Sequence, residues 1–174
     1  MRSWLYLALD ESTITQLQNE ISTVIPTDWK RETNPHVTIL PGFSIPSSNT
    51  DAAMSELNEI VDSISIPSVS VVDFHFYPAL DDREQTYVVS LKVDVDLDPI
   101  QETVVACVDK HDGEILYEYQ DVTPHITLFK SGDSVDPSKT ALGCTRTEFE
   151  QRVSEISSNP YQNITVTDVK MEEF

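Results

Sequence analysis

Basic residues are scarce in this chain. Eleven lysines and arginines stand against thirty aspartates and glutamates, which gives a formal net charge of −19. Such a surface repels polyanions, so we do not expect the protein to bind long tracts of nucleic acid. Acidic residues dispersed through a globular pattern are typical of halophilic proteins, although an acidic mesophilic protein has the same composition. In molar salt the screening length falls to about 3 Å, and substrate capture then depends on short contacts inside a pocket.

Long apolar runs are also lacking. The apolar stretch at residues 4–9 stops at Asp10 and has no cleavage region, so it predicts a first strand rather than a membrane span or signal peptide. From this we expect a cytoplasmic protein without membrane contact, and we predict a monomer.

Metal-ligand patterns are missing as well. Cys107 and Cys144 form no C-x-x-C pair, and neither a disulfide framework nor a cysteine metal site is predicted. The chain has four histidines: His36, His75, His111 and His125. Because none of them has a helical metal-ligand spacing, we predict no metal and no cofactor.

What the chain does contain is enough apolar residue, 39%, for a packed interior. We interpret residues 1–174 as a single domain. Periodicity predicts helices around residues 12–25, 54–64, 98–108 and 145–156. It predicts strands at 69–77, 86–95, 115–119 and 163–170, besides the first strand and two described next. Pro41-Gly42 is expected to form a turn.

One short motif occurs twice. Residues 34–40 read NPHVTIL and residues 123–129 read TPHITLF. Both have strand-forming composition, and alternate side chains of a strand share a face. His36 and Thr38 therefore point one way on the first strand, and His125 and Thr127 point one way on the second. Each strand has an apolar back for a core and a His-Thr front.

The order strand–helix–strand–helix–strand also repeats, which favours a duplication with a pseudo-twofold axis. That symmetry would bring the two His-Thr fronts together across a cleft. Two imidazoles beside one phosphorus can serve as base and acid, since histidine titrates near pH 6.5. A threonine hydroxyl can donate to a non-bridging phosphate oxygen and stabilise charge in the transition state.

The pair PHVTI and PHITL resembles the signature of the two-histidine (2H) phosphoesterase superfamily, especially its RNA 2′,3′-cyclic phosphodiesterase (2′-5′ RNA ligase-like) branch. The opening WLYLALD and the segment HITLFK also resemble that family. The resemblance implies a bilobal α+β fold, with two antiparallel sheets lining a central cleft and helices outside. It implies metal-independent opening of cyclic phosphates, with His36 and His125 as the acid–base pair. Thr38, Thr127 and Lys130 would contact phosphate; a lysine lacks the bidentate geometry of the arginine common in the family.

Aromatic residues near the motifs offer further candidates. Phe43 and Phe129 can stack on a nucleobase, and core packing is the alternative for each. Tyr77 can also reach a base. His75 shares a strand face with Tyr77, and we interpret it as a surface or supporting residue rather than a catalytic one.

The expected partner is therefore a nucleotide or RNA end with a cyclic phosphate. Two alternatives stay open at this point. The same site would suit cyclic oligonucleotide messengers or the processing of RNA 3′ ends. A binding module that holds nucleotides without turnover is the alternative of another class, although a binder has no need of two proton-transfer groups.

Overall fold

The computed structural model describes residues 1–78, 87–120, 122–131, 146–156 and 162–174, with the backbone alone at 77, 78 and 146. The strands in these ranges are β1 (Arg2–Leu9), β2 (Lys30–Arg31), β3 (His36–Ser44), β4 (Ser68–Pro78), β5 (Tyr87–Asp94), β6 (Glu114–Ile115), β7 (His125–Lys130) and β8 (Asn163–Glu173). The helices are α1 (Glu11–Ile21), α2 (Thr50–Ser63), α3 (Asp98–Lys110) and α4 (Arg146–Ile156).

The described strands form one antiparallel sheet in the order β2-β7-β5-β4-β8-β1-β3-β6, and a further pairing of β7 with β3 closes it on itself. We call β6, β3, β1 and β8 the first half-sheet, and β2, β7, β5 and β4 the second. The orders β3-β1-β8 and β7-β5-β4 correspond, strand for strand. This arrangement confirms the predicted α+β class, and the two predicted sheets are joined into one.

The two half-sheets exchange their outer strands. Strand β4 comes from the N-terminal half of the chain but pairs with β5, and β8 returns from the C-terminus to pair with β1. Residues 68–70 of β4 then pair with residues 163–165 of β8, which joins the half-sheets. As a result, β1 and β5, the neighbours of the motif strands β3 and β7, are each paired on both of their edges.

Apolar side chains fix which face of the sheet carries helices. Leu5, Leu7 and Leu9 alternate along β1 and are buried in one core, together with the apolar stripe of α1. Helix α3 contacts β3 and α2 contacts β8, while α1 and α4 contact each other. Phe149 of α4 packs on Tyr87 of β5 with ring centroids 6.0 Å apart. The helices thus cover the faces that the His-Thr fronts do not use.

The predicted turn at Pro41-Gly42 is wrong, because β3 continues through both residues to pair with β6. A Cβ on Gly42 would lie 2.8 Å from the ring of Tyr117, so this glycine lets a ring approach the strand rather than reverse the chain. Among the described helices, none has the length and apolarity needed to cross a membrane.

Candidate active site

The two motif strands meet at one residue pair, Val37 with Ile126. Both side chains are 0% exposed and point into the core. Extending this antiparallel register by one residue sets His36 opposite Thr127 and Thr38 opposite His125, all on the other face. Directly opposed residues lie about 5 Å apart and diagonal ones about 7–8 Å apart. The structure therefore brings the four motif residues together, and we call them the quartet: His36, Thr38, His125 and Thr127.

Both histidines of the quartet are oriented in the same way. The Nδ1 atom of His36 lies 2.7 Å from the carbonyl oxygen of Asn34, and that of His125 lies 2.8 Å from the carbonyl oxygen of Thr123. A carbonyl can only accept, so each Nδ1 carries a proton. In the neutral ring Nε2 is then the basic nitrogen, and it lies on the far side of the ring from this carbonyl.

The surroundings shift the pKa of both rings downward. Burial lowers the pKa of His36, although the Asn34 carbonyl and the nearby Glu32 carboxylate oppose this shift. Burial also lowers the pKa of His125; the Thr123 carbonyl opposes it, and the neighbouring His75 adds to it. In the free protein both rings are therefore neutral over more of the physiological pH range than an exposed histidine.

A β-bulge follows each motif at the same position. Consecutive residues Leu5 and Tyr6 of β1 pair with Leu40 and Thr38, which leaves Ile39 as the extra residue of β3. The pairing of β5 with β7 skips Leu128 in the same way. Bulges of this kind redirect the side chains beside them.

A glutamine from a helix donates to the carbonyl of each extra residue, and the Leu128 carbonyl also accepts the backbone N–H of Glu32 at 2.9 Å. The Nε2 atom of Gln101 in α3 donates to the Ile39 carbonyl at 2.8 Å. The Nε2 atom of Gln18 in α1 donates to the Leu128 carbonyl at 3.1 Å. The two halves therefore share this support as well as the motif, and neither glutamine was identified from the sequence.

An aromatic wall adjoins His36. The rings of Trp4 and Tyr6 stack at 4.3 Å, and their centroids lie 4.8 and 5.2 Å from that of His36. The hydroxyl of Tyr6 donates to the Glu172 carboxylate. No role was predicted for Trp4 or Tyr6. The pattern that could have identified them is the period of two in WLYLALD, which puts both side chains on one face of the strand.

The wall beside His125 is different, because it carries another histidine. The rings of His75 and His125 lie 6.4 Å apart. His75 belongs to β4 and is half-buried, and burial followed by the charge of Lys92 lowers its pKa. This placement agrees with its interpretation as a residue near the site rather than within the quartet.

The remaining predicted contacts have mixed outcomes. Lys130 ends β7 and forms an ion pair with Glu32 at 2.9 Å, close enough for its charge to act on both quartet histidines. Phe43 is 0% exposed in the core, so the predicted stacking of Phe43 on a base is wrong and core packing accounts for it. Phe129 is likewise buried. The side chain of Tyr77 lies outside the described residues.

A cavity of about 190 Å³ opens beside Thr38 and His125. Its lining is mainly apolar and includes Pro41, Tyr119 and Pro124. An apolar recess next to the quartet has the character of a site for the uncharged part of a ligand.

One group of described residues has the composition of a metal site. Candidate ligand atoms of Glu56, Cys107 and His111 lie within 4.8 Å of one another, on α2, α3 and the residue after α3. Lys110 already supplies a cation there, with its Nζ atom 2.7 Å from Glu56. Burial raises the pKa of the Cys107 thiol, which disfavours the thiolate that a metal requires. These residues take no part in the quartet.

No protein-family model matches the chain, and no curated protein matches its sequence. Solved structures do resemble it. Usb1 of Kluyveromyces marxianus with uridine monophosphate has a TM-score of 0.57 at 12% identity, covering 99% of this chain and 98% of that one. The MHV ns2 PDE domain has a TM-score of 0.54 at 12% identity, with both chains fully covered. E. coli LigT complexed with 3′-AMP has a TM-score of 0.53 at 15% identity, covering 98% and 84%.

Proposed function

We propose that this chain, which has the fold of the 2H phosphoesterases, is a metal-independent phosphodiesterase that opens 2′,3′-cyclic phosphate ends of RNA or small nucleotides. The pairing of Val37 with Ile126 carries the proposal. A phosphate bound over that pair lies within reach of two imidazoles and two hydroxyls. The fold alone would not support an activity, because one fold serves many functions.

The proposed reaction is an in-line displacement at phosphorus. A neutral imidazole removes a proton from water as its oxygen bonds to phosphorus. The bond from phosphorus to one ribose oxygen breaks, and the other ring, as imidazolium, gives that oxygen a proton. The hydroxyls of Thr38 and Thr127 donate to the non-bridging oxygens, where charge builds in the transition state.

The neighbours of each ring favour one assignment of roles. Carboxylates of Glu32 and Glu172 act on His36 and stabilise its protonated form. The charges of His75, His36 and Lys130 act on His125, and each of them lowers its pKa. His36 is therefore the acid that protonates the leaving oxygen, and His125 is the base that activates water.

Nucleoside recognition is supported by the surfaces flanking the quartet. Trp4 is half-buried, so part of its ring is available to stack on a base, and the cavity beside Thr38 offers an apolar recess. The Usb1 and LigT structures hold uridine monophosphate and 3′-AMP. We infer that the surfaces beside the quartet bind one nucleotide unit of this size, either free or at the end of an RNA.

The test uses protein treated with EDTA and a 2′,3′-cyclic mononucleotide, in high salt. Wild type should release a nucleoside monophosphate, and His36→Ala and His125→Ala should each lose about a hundredfold or more in kcat. His111→Ala is the matched control: His111 is the residue after α3, and this variant should retain activity. Loss of wild-type turnover on chelation contradicts the proposal. Tight binding of the nucleotide without product would identify a binding module instead.

Cyclic di- and trinucleotides assayed in parallel distinguish the messenger-degrading alternative from the proposed one. RNA with a 3′ hydroxyl end tests for processing of RNA 3′ ends. Preference for either substrate by a hundredfold in kcat/KM over a 2′,3′-cyclic end, about 2.7 kcal/mol, would reassign the substrate while leaving the quartet as the site.

A further inference from the structure

Lys92 lies on the same face of the sheet as the quartet. It is the direct cross-strand partner of His125 on β7 and of Asp73 on β4. Directly opposed residues of antiparallel strands point to the same face. The side chain of Lys92 is exposed, so it projects from β5 into the space beside His125.

A second cross-strand row runs beside this one. Ser90 of β5 is opposite both Thr127 and His75. Ser90 is buried and its hydroxyl donates to the His75 carbonyl at 2.8 Å, which ties β5 to β4 at this point. His75 is diagonal to Lys92 across the β4–β5 pair, and its ring lies 6.4 Å from that of His125. Lys92 and His75 therefore extend the site away from β3.

Lys92 forms no ion pair with a described residue. No described carboxylate is within ion-pair distance of its ammonium, whereas Lys110 and Lys130 both pair with glutamates. Asp73 faces Lys92 from β4, but one of its oxygens accepts the backbone N–H of Phe74 at 2.8 Å. Lys92 is therefore a cation on the site's own face without an ion pair among the described residues, and Asp73 and Asp94 are the acidic residues beside it on that face.

The distance of Lys92 from the quartet suits a phosphate group adjacent to the one that reacts. Adjacent strands lie about 4.8 Å apart, so β5 and β4 are about one and two strand spacings from the strand that bears His125. The long stem of lysine lets its ammonium approach a ligand that lies across the quartet. His75 adds a second donor farther along the same direction.

We propose that Lys92 and His75 bind a second phosphate group of the substrate, so that the preferred substrate is an oligonucleotide end rather than a cyclic mononucleotide. This inference rests on the proposed cyclic phosphodiesterase function. In this arrangement the aromatic wall of Trp4 and Tyr6 contacts a base. Lys92 and His75 contact the preceding phosphodiester.

The test compares a dinucleotide ending in a 2′,3′-cyclic phosphate with the corresponding cyclic mononucleotide. Lys92→Met should lower kcat/KM for the dinucleotide about tenfold, the factor expected for one charged hydrogen bond. It should change kcat/KM for the mononucleotide less than about twofold, because that substrate has no second phosphate. Lys92→Arg should restore most of the dinucleotide rate, and His75→Gln should reduce it selectively.

Arg152→Met is the matched control, since Arg152 is an exposed residue of helix α4 and not of the sheet that carries the quartet. It changes the net charge equally and should leave the substrate ratio unchanged. Equal loss on both substrates with Lys92→Met, or loss on neither, overturns the second-phosphate site while the phosphodiesterase stands. A pyrophosphate-bearing cyclic nucleotide that responds to Lys92→Met as the dinucleotide does would support the site and identify phosphate, not the oligonucleotide, as its ligand. Absence of wild-type turnover on all substrates overturns both proposals.

Discussion

Replacing Gln18 by methionine tests whether the bulge after the second motif depends on its helix partner. Gln18 is 2% exposed and its amide makes three hydrogen bonds. Its Nε2 atom donates to the carbonyls of Glu32 at 2.9 Å and Leu128 at 3.1 Å. Its Oε1 atom accepts from Nε of Arg31 at 2.6 Å. Methionine has nearly the same shape but can replace none of these bonds.

The magnitude follows from what Gln18→Met leaves behind. A buried polar group without its partner costs about 1–3 kcal/mol. The Leu128 carbonyl keeps the backbone N–H of Glu32 as a donor at 2.9 Å, and Arg31 and the Glu32 carbonyl lie nearer the surface and can turn to water. The loss is then that of the hydrogen bonds themselves, and we expect the free energy of unfolding to fall by about 1–2 kcal/mol. Because the bulge aims Thr127, kcat should fall as well.

Denaturant unfolding and cyclic-nucleotide turnover, both in high salt, measure the two effects. Gln101→Met is the internal comparison, since Gln101 makes the matching bond to Ile39 but is only half-buried, so its loss of stability should be smaller. The reasoning fails if Gln18→Met unfolds like wild type, or if it is destabilised while kcat per folded molecule is unchanged.

Two further predictions concern the quartet. Burial lowers the pKa of both His36 and His125 below the usual 6.5 of histidine. The acid therefore loses its proton early as pH rises, so kcat/KM should peak below pH 6.5 and decline through neutrality. A profile that rises up to pH 8 would contradict the assignment. Thr38→Val and Thr127→Val keep the shape of the side chain but remove a hydroxyl. Each should lower kcat/KM about tenfold or more without changing the unfolding midpoint, whereas serine at the same positions should retain most activity. Valine variants as active as wild type would exclude a contact between these hydroxyls and phosphate.

The sequence alone was sufficient where the signal was local. The alternation of Val37 and Ile126 with their polar neighbours predicts both the core face and the front of each motif strand, and the structure has that arrangement. The same alternation identified β5, predicted at residues 86–95 and found at Tyr87–Asp94. Local periodicity needs no knowledge of which strands pair.

What depends on distant pairing could not be predicted. The repeated order of strands and helices assigns residues 69–77 to the first half of the chain, so the position of His75 beside His125 in the second half-sheet was not predicted. Lys92 is an ordinary exposed strand residue until its cross-strand partner is known. Pro41-Gly42 resembles a turn because the ring of Tyr117, which occupies the space left by the glycine, arrives from 75 residues later in the chain.

The outermost strands of the described sheet bear on how the protein behaves at high concentration. Strands β2 and β6 have two residues each, Lys30–Arg31 and Glu114–Ile115, and three of these four residues are charged. Short charged edges offer little backbone for another molecule to extend. Mutual repulsion between acidic molecules vanishes within about 3 Å in molar salt. In such a solution we expect the short edges of the sheet, rather than charge, to limit edge-to-edge association of neighbouring copies.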